Sequence, residues 1–306
     1  MAERILVIKL GALGDLVLCM GAFAAIRAHH PKAEIALLTA PAFAGFAMQM
    51  PWFDHVIPDT RPKAYQLIEW FKLYRAVRNY APSRVYDLQG KTRQAILYYL
   101  LGGAQKKVEW SGAVKGCSYP RVWPPQPNMH YTDFVAAQME KAGIKVGKTI
   151  DLSWLETPVR DFDLGTRYVL LIPGCAPSRP YKRWPADHYA ELAQLAIKKG
   201  LTVAAIGTKS DAQSIADIRA LAPEVIDLSG KTSLKQVASL ARGAEFVVGN
   251  DTGPTHLAAA VGARTVALMS DQVDPYWSCP RGSQTMWLQG SPLAKLSVER
   301  VTPCLK

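Results

Sequence analysis

Short apolar runs of three to five residues alternate with helix-length stretches along this chain, and the alternation occurs twice. In the first half, residues 5–8, 34–38, 55–57, 84–88 and 107–110 read as strands, with helices over 16–29, 65–78 and 92–101. A weakly patterned region follows from 111 to about 165, with Pro120, Pro124, Pro125 and Pro127 near its start and one helix expected over 131–142. The alternation then restarts, with strands at 168–172, 202–206, 225–227, 245–248 and 265–268. Helices are expected over 185–199, 211–221 and 233–241, and after Pro254. Alternation on this scale indicates parallel sheets wrapped by helices on both faces. The fold class is therefore α/β, as two Rossmann-like domains over 1–160 and 161–306. Ligands of such sheets bind beyond the carboxyl ends of the strands, so a cleft between the domains is the expected site.

At 306 residues and 49% hydrophobic content, the chain is long enough for two domains with sizeable cores. Its formal net charge of +11 is unevenly spread. Between Thr60 and Arg121, twelve Lys and Arg face only three acids, a block of +9. Nucleic acid, anionic lipid or a phosphorylated saccharide would satisfy that block, and so would water on a plain basic face. The five cysteines are scattered and form no C-x-x-C pair, which suits reduced thiols in a cytosolic protein and neither a disulfide frame nor a zinc site. A strand begins almost at Met1, so no signal peptide is expected. The longest apolar run, 16–26, is too short to span a bilayer. A soluble cytoplasmic protein is expected, at most peripheral on a membrane surface.

The most informative motif runs from Val247 to Ala260, V-V-G-N-D-T-G-P-T-H-L-A-A-A. An apolar strand ends in a tight polar turn, and Pro254 suits the first turn of an apolar helix. Such a turn aims unpaired backbone N–H groups and a helix dipole at one point, which favours an anion. Asp251 and His256 flank that point; alternatively, Asp251 or Thr252 merely caps the helix. The loop after strand 168–172 carries Ser178, Arg179, Lys182 and Arg183 just before a helix. Those cations could neutralise a diphosphate, with Ser178 donating a hydrogen bond. Trp184 reads as a packing anchor. Asp211 could hold ribose hydroxyls or cap its helix.

In the first half, Lys9-Leu10-Gly11-Ala12-Leu13-Gly14-Asp15 follows the opening strand. Gly11 and Gly14 let the backbone turn sharply and leave room for a ligand. Asp15 either caps the next helix or exposes a carboxylate placed to accept a proton from a hydroxyl. Lys91 and Arg93, after Asp87-Leu88-Gln89-Gly90, lie on the expected cleft side and belong to the basic block.

With these residues in view, the chain resembles glycosyltransferase family nine, the bacterial lipopolysaccharide heptosyltransferases, over nearly its whole length. The likeness is carried by residues 8–15, by Asp87-Leu88-Gln89-Gly90, by Lys182-Arg183-Trp184-Pro185 and, most specifically, by residues 249–256. It implies the GT-B architecture, two Rossmann-like domains facing across a cleft. It also implies inverting transfer of heptose from ADP-heptose to the lipid A–Kdo core. Asp15 would be the general base and Lys182 the cation on the donor diphosphate. Asp251, Thr252, Gly253 and His256 would hold the diphosphate and donor sugar, and Asp211 the ribose. Lys91 and Arg93 would meet the anionic acceptor. No metal or other cofactor is expected; the ADP-sugar is a substrate. The partners implied are that donor, an anionic glycolipid and the inner face of the cytoplasmic membrane, with no nucleic acid.

The segment 110–127 has no counterpart in the pattern, and a helix after Val301 would be short. Two other readings remain at the level of residues. One is a nucleotide- or nucleic-acid-binding protein, which the basic block allows but no helix-turn-helix or aromatic strand motif supports. The other is a sugar-nucleotide epimerase on the same fold, which leaves the charge without a use.

Overall fold

A computed structural model describes residues 3–305 apart from Ala64 and Lys91. Backbone contacts divide it after Trp154 into two units. Residues just past the division are tied to the second unit: the Thr157 amide donates to Ser239 Oγ at 2.9 Å, and Arg242 pairs with Glu156 at 3.0 Å.

The first unit runs β1 (Arg4–Ile8), α1 (Leu13–His29), β2 (Glu34–Thr39), α2 (Pro41–Ala47), β3 (His55–Pro58), α3 (Leu67–Tyr80), β4 (Arg84–Asp87), α4 (Thr92–Leu100), β5 (Glu109–Gly112), β6 (Tyr119–Pro120) and α5 (Tyr131–Lys141). Its sheet has the order β3-β2-β1-β4-β5-β6, with every described pairing parallel. One face buries Leu6, Ile8, Leu38 and Val85 under Leu73 and Val77 of α3 and Leu97 and Tyr98 of α4. Apolar residues recurring at helical spacing on α3 supply that contact, with Trp70 and Tyr80 half-buried beside them, and the opposite face of the helix is left to solvent.

The second unit runs β7 (Tyr168–Ile172), α6 (Ala186–Lys198), β8 (Thr202–Gly207), α7 (Ala212–Leu221), β9 (Ile226–Ser229), α8 (Leu234–Gly243), β10 (Phe246–Asn250), α9 (Gly253–Ala260), β11 (Thr265–Ser270), α10 (Pro275–Ser278), β12 (Thr285–Gly290) and α11 (Val298–Val301). Its sheet, β12-β11-β10-β7-β8-β9, is also parallel throughout the described pairings. The core gathers Val169, Leu171, Val203 and Val248 beneath Tyr189, Leu192 and Ile215.

Both sheets follow the doubly wound order of a Rossmann fold, 3-2-1-4-5-6 when each is numbered from its own first strand. The expected α/β class and the parallel sheets are observed. In each unit the order reverses beside the first strand, between β1 and β4 and between β7 and β10. Ligands of such sheets settle beyond the strand ends at that reversal. The loops ending there are those that carry the sequence motifs.

Beyond the short elements β6, α10 and α11, three further elements depart from expectation. Strand β5 starts at Glu109 rather than 107, because Lys106 and Lys107 are held in a turn by amide bonds back to Gly103 and Gly102. Strand β12 is a half-exposed edge strand whose apolar run is only Met286-Trp287-Leu288, and it forms by pairing with β11 from Thr265↔Thr285 to Ser270↔Gly290. The short helix α2 begins at Pro41, a residue that suits a first turn. Among the described residues, no helix is long and apolar enough to cross a membrane.

Candidate active site

In the first unit, the turn from β1 to α1 is tightly packed. Gly11 has φ +96°, and a Cβ there would stand 2.3 Å from Cε2 of Phe43, so only glycine fits. Gly14 is not part of this turn; it is the second residue of α1 and is buried. Asp15 follows it, and neither it nor any other side chain caps the helix, whose N-cap is Ala12. Its side chain is 48% exposed, and Oδ2 lies 3.9 Å from Nζ of Lys9, which is only 3% exposed. Lys9 Nζ donates to the Tyr131 hydroxyl at 2.6 Å, and that hydroxyl donates to the Leu88 carbonyl at 3.0 Å. A solvent-facing carboxylate is thus backed by a buried cation. The sequence shows Lys9 only as a lone lysine closing an apolar strand, a local signal that does not reveal its partner Asp15.

The β4 loop is stitched to the β1 loop through Gln89, whose Oε1 accepts from the Leu10 amide at 2.9 Å. Asp87 is fully buried at the end of β4. Its Oδ1 accepts from the amides of Gln89 and Gly90 at 3.0 and 2.9 Å, and its Oδ2 has no partner among the described residues. Burial pushes its carboxyl up to about 6, against the pull of the Gly90 amide and Arg121. The Arg121 guanidinium lies against Gly90, where a Cβ would meet Nη2 at 1.3 Å. It also sits 5.1 Å over the Phe134 ring. Part of the unassigned segment is thereby placed: Trp110 is fully buried in the core, and Arg121 borders the strand ends. Arg93 is engaged inside the unit, its Nη2 donating to buried Asp59 at 2.6 Å and its guanidinium 4.4 Å over Trp70. Lys91 lies outside the described residues.

In the second unit, Asn250 organises the strand ends. Its Oδ1 accepts from the Trp184 amide at 3.1 Å and the Tyr189 hydroxyl at 3.0 Å, and its Nδ2 donates to the Pro173 carbonyl at 2.7 Å. One buried amide thus ties the β10 end to the β7 loop. Trp184 is the packing anchor expected, buried and donating to the Leu296 carbonyl at 2.8 Å.

That scaffold brings Lys182, Asp251 and His256 together. Lys182 Nζ donates to Asp251 Oδ2 at 2.5 Å, and Asp251 Oδ1 lies 3.1 Å from His256 Nε2. All three are buried. Burial alone would raise the Asp251 carboxyl, but His256 and Lys182 outweigh it and hold it below the usual range. His256 Nδ1 is buried without a partner among the described residues. Thr252 is the N-cap of α9, yet its hydroxyl donates backwards to the Asn250 carbonyl at 3.3 Å and no side chain caps the helix. The capping alternative for Asp251 and Thr252 is therefore not what forms. Gly253 opens α9, and Pro254 follows it. Ser178 stands exposed on the β7 loop.

Beside this cluster is a cavity of about 290 Å³, with Cys175, Pro177, Leu234 and Val237 as apolar walls and Asp211 and Thr252 among its polar groups. Asp211 does close its own turn, Oδ2 accepting from the Thr208 amide at 2.9 Å and hydroxyl at 2.7 Å. Gly174 makes room for it, since a Cβ there would fall 2.6 Å from the Asp211 carboxyl carbon. Among the described residues, no group of three His, Cys, Asp or Glu is placed to hold a metal ion.

The model of glycosyltransferase family 9 (heptosyltransferase) matches residues 70–290. Lipopolysaccharide heptosyltransferase 2 of Salmonella typhimurium is 28% identical over 292 residues, covering 87% of this chain and 82% of the relative. Among solved structures, E. coli ADP-heptose LPS heptosyltransferase II superposes with a TM-score of 0.76 at 23% identity, covering 99% of this chain and 97% of that one. E. coli heptosyltransferase WaaC with ADP-2-deoxy-2-fluoro heptose gives 0.76 at 20% identity, covering 98% of each chain.

Proposed function

This chain belongs to glycosyltransferase family 9, the heptosyltransferases, and from that premise we propose that it transfers heptose from ADP-heptose to an anionic inner-core lipopolysaccharide acceptor. Neither a non-catalytic nucleic-acid-binding protein nor an epimerase is favoured, since the family and the relatives named above are transferases. The observation that carries the reading is the coincidence of each motif with the topological switch point of its own sheet. Asp15 and Lys9 stand after β1, and Lys182, Asp251 and His256 stand at the ends of β7 and β10.

Cleaving a glycosyl–diphosphate bond builds positive charge on the sugar and negative charge on the departing phosphate. Lys182 and the Thr252–Gly253 backbone at the start of α9 stabilise that negative charge. Ser178 adds a hydroxyl from the β7 loop. Asp251 is anionic and would repel a diphosphate, so it orients Lys182 and His256 and accepts hydrogen bonds from sugar hydroxyls. The neighbouring cavity takes the adenosine between its apolar walls, with Asp211 near the ribose. Asp15 removes the proton of the acceptor hydroxyl as it attacks the face of the sugar opposite the diphosphate, which inverts the anomeric centre. Arg93, held by Asp59, and Lys91 meet acceptor anions, and the protein works as a peripheral enzyme at the cytoplasmic face of the inner membrane.

A thermal-shift series with ADP-, UDP- and GDP-sugars tests the donor. A matched donor at a hundredfold its Kd adds about 2.7 kcal/mol to stability. ADP-heptose should stand alone in this series, and an equal shift with UDP- or GDP-sugars would refute the assignment.

A further inference from the structure

Large apolar side chains exposed to solvent are concentrated in the first unit, and four of them fall within seven residues: Tyr65 at 74%, Leu67 at 73%, Ile68 at 72% and Phe71 at 62%. Three lie on the first turns of α3, whose opposite face packs Leu73 and Val77 into the core. At 100° per residue, Leu67, Ile68 and Phe71 share the outward face with Lys72, Arg75 and Arg78, all exposed. The outward face is therefore apolar at its start and cationic beyond. Lys63, just before the helix, keeps its ammonium 5.9 Å over the Tyr65 ring. Burial does not explain these apolar side chains, because the core needs only the other face of the helix.

We propose that the outward face of α3, with Tyr65, docks the protein onto an anionic phospholipid bilayer. Leu67, Ile68 and Phe71 enter the headgroup boundary while Lys72, Arg75 and Arg78 meet lipid phosphates, the division of labour of an interfacial helix. Charge decides among occupants. A second copy of the same face would gather the Lys72, Arg75 and Arg78 cations of both copies in one interface, where they repel. Nucleic acid would satisfy the cations but leave Leu67 and Ile68 without a partner. The inference rests on the membrane-surface part of the proposed function, but its test is independent of the donor and the reaction.

The full chain is sedimented with vesicles of phosphatidylcholine, with and without phosphatidylglycerol. Binding is expected only with the anionic lipid, and it should weaken as salt rises. Each cation near such a surface is worth about fivefold in partitioning, so Lys72→Gln/Arg75→Gln/Arg78→Gln should lose roughly a hundredfold. Leu67→Ser/Ile68→Ser/Phe71→Ser should lose vesicle binding while keeping its melting temperature and its thermal response to ADP-heptose. Absence of wild-type binding would overturn the proposal, as would undiminished binding by either variant. So would a wild-type dimer that becomes monomeric in the apolar variant, since the face would then be a self-association surface. Transfer to a delipidated acceptor saccharide reports on the enzymatic reading alone, so failure of one reading is separable from failure of the other.

Discussion

Asp87 and Asp251 are both buried carboxylates at strand ends, one in each unit, yet their surroundings drive ionisation in opposite directions. Burial pushes Asp87 up to about 6, so its folded value exceeds the unfolded value of about 3.9. Its contribution to stability is full below the unfolded value and declines as pH rises to about 6, a loss of about 3 kcal/mol. Asp87→Asn should remove that decline, so urea midpoints of variant and wild type should converge below pH 4 and diverge in the variant's favour near neutrality. A pH-independent difference would refute it. Asp251 is held down by His256 and Lys182 against burial, so its contribution is present above the unfolded value and is lost as acid carries the pH down through the folded one. If Asp15 is the general base proposed above, Asp15→Asn should lower turnover by about 10²–10⁴-fold, the usual worth of a positioned general base. The thermal shift with ADP-heptose should stay unchanged, and retained turnover would remove Asp15 from the mechanism. Lys182→Ala should instead weaken donor affinity and turnover together, because the diphosphate is charged before and during reaction. A donor Kd equal to wild type would argue that Lys182 serves only to anchor Asp251.

At the scale of elements, the segment from Val247 to Ala260 was legible as strand, tight turn and helix, and β10 and α9 form there. Its internal bonding was not legible. The polar residues of the turn suggested a side-chain cap for α9; what forms is a knot around Asn250, which satisfies the Trp184 amide, the Tyr189 hydroxyl and the Pro173 carbonyl. Those partners lie more than sixty residues away in sequence, beyond the reach of any local pattern. Asn250→Ala should leave several buried polar groups unsatisfied and cost roughly 2–4 kcal/mol by urea denaturation. A loss below about 1 kcal/mol would show that water replaces the amide. The misplaced start of β5 and the overlooked β12 have one cause. Strand existence there is decided by pairing with β4 and β11, since β5 has a single large apolar residue, Trp110, and β12 only the short run Met286-Trp287-Leu288.

For the whole molecule, charge is the property that composition makes plainest. The +9 block between Thr60 and Arg121 belongs entirely to the first unit. An anionic acceptor drawn by that field should show kcat/KM falling steeply with added salt, while binding of ADP-heptose, proposed for the second unit, should change less. Equal salt dependence for both substrates would count against a charge-steered acceptor. The sequence by itself determined that two parallel sheets form and where their strand-end loops fall, because strand and helix periods are local properties of the chain. It also offered Asp15, Lys182, Asp251 and His256 as candidates, because each lies in or just after a recognisable strand-end turn. Only tertiary structure decided that Lys9 backs Asp15, that Lys182 and His256 share one carboxylate, and that Arg93 is engaged by Asp59. Those relations arise where strands distant in sequence become neighbours in a sheet, and strand order is set by burial of whole faces, which no single segment encodes.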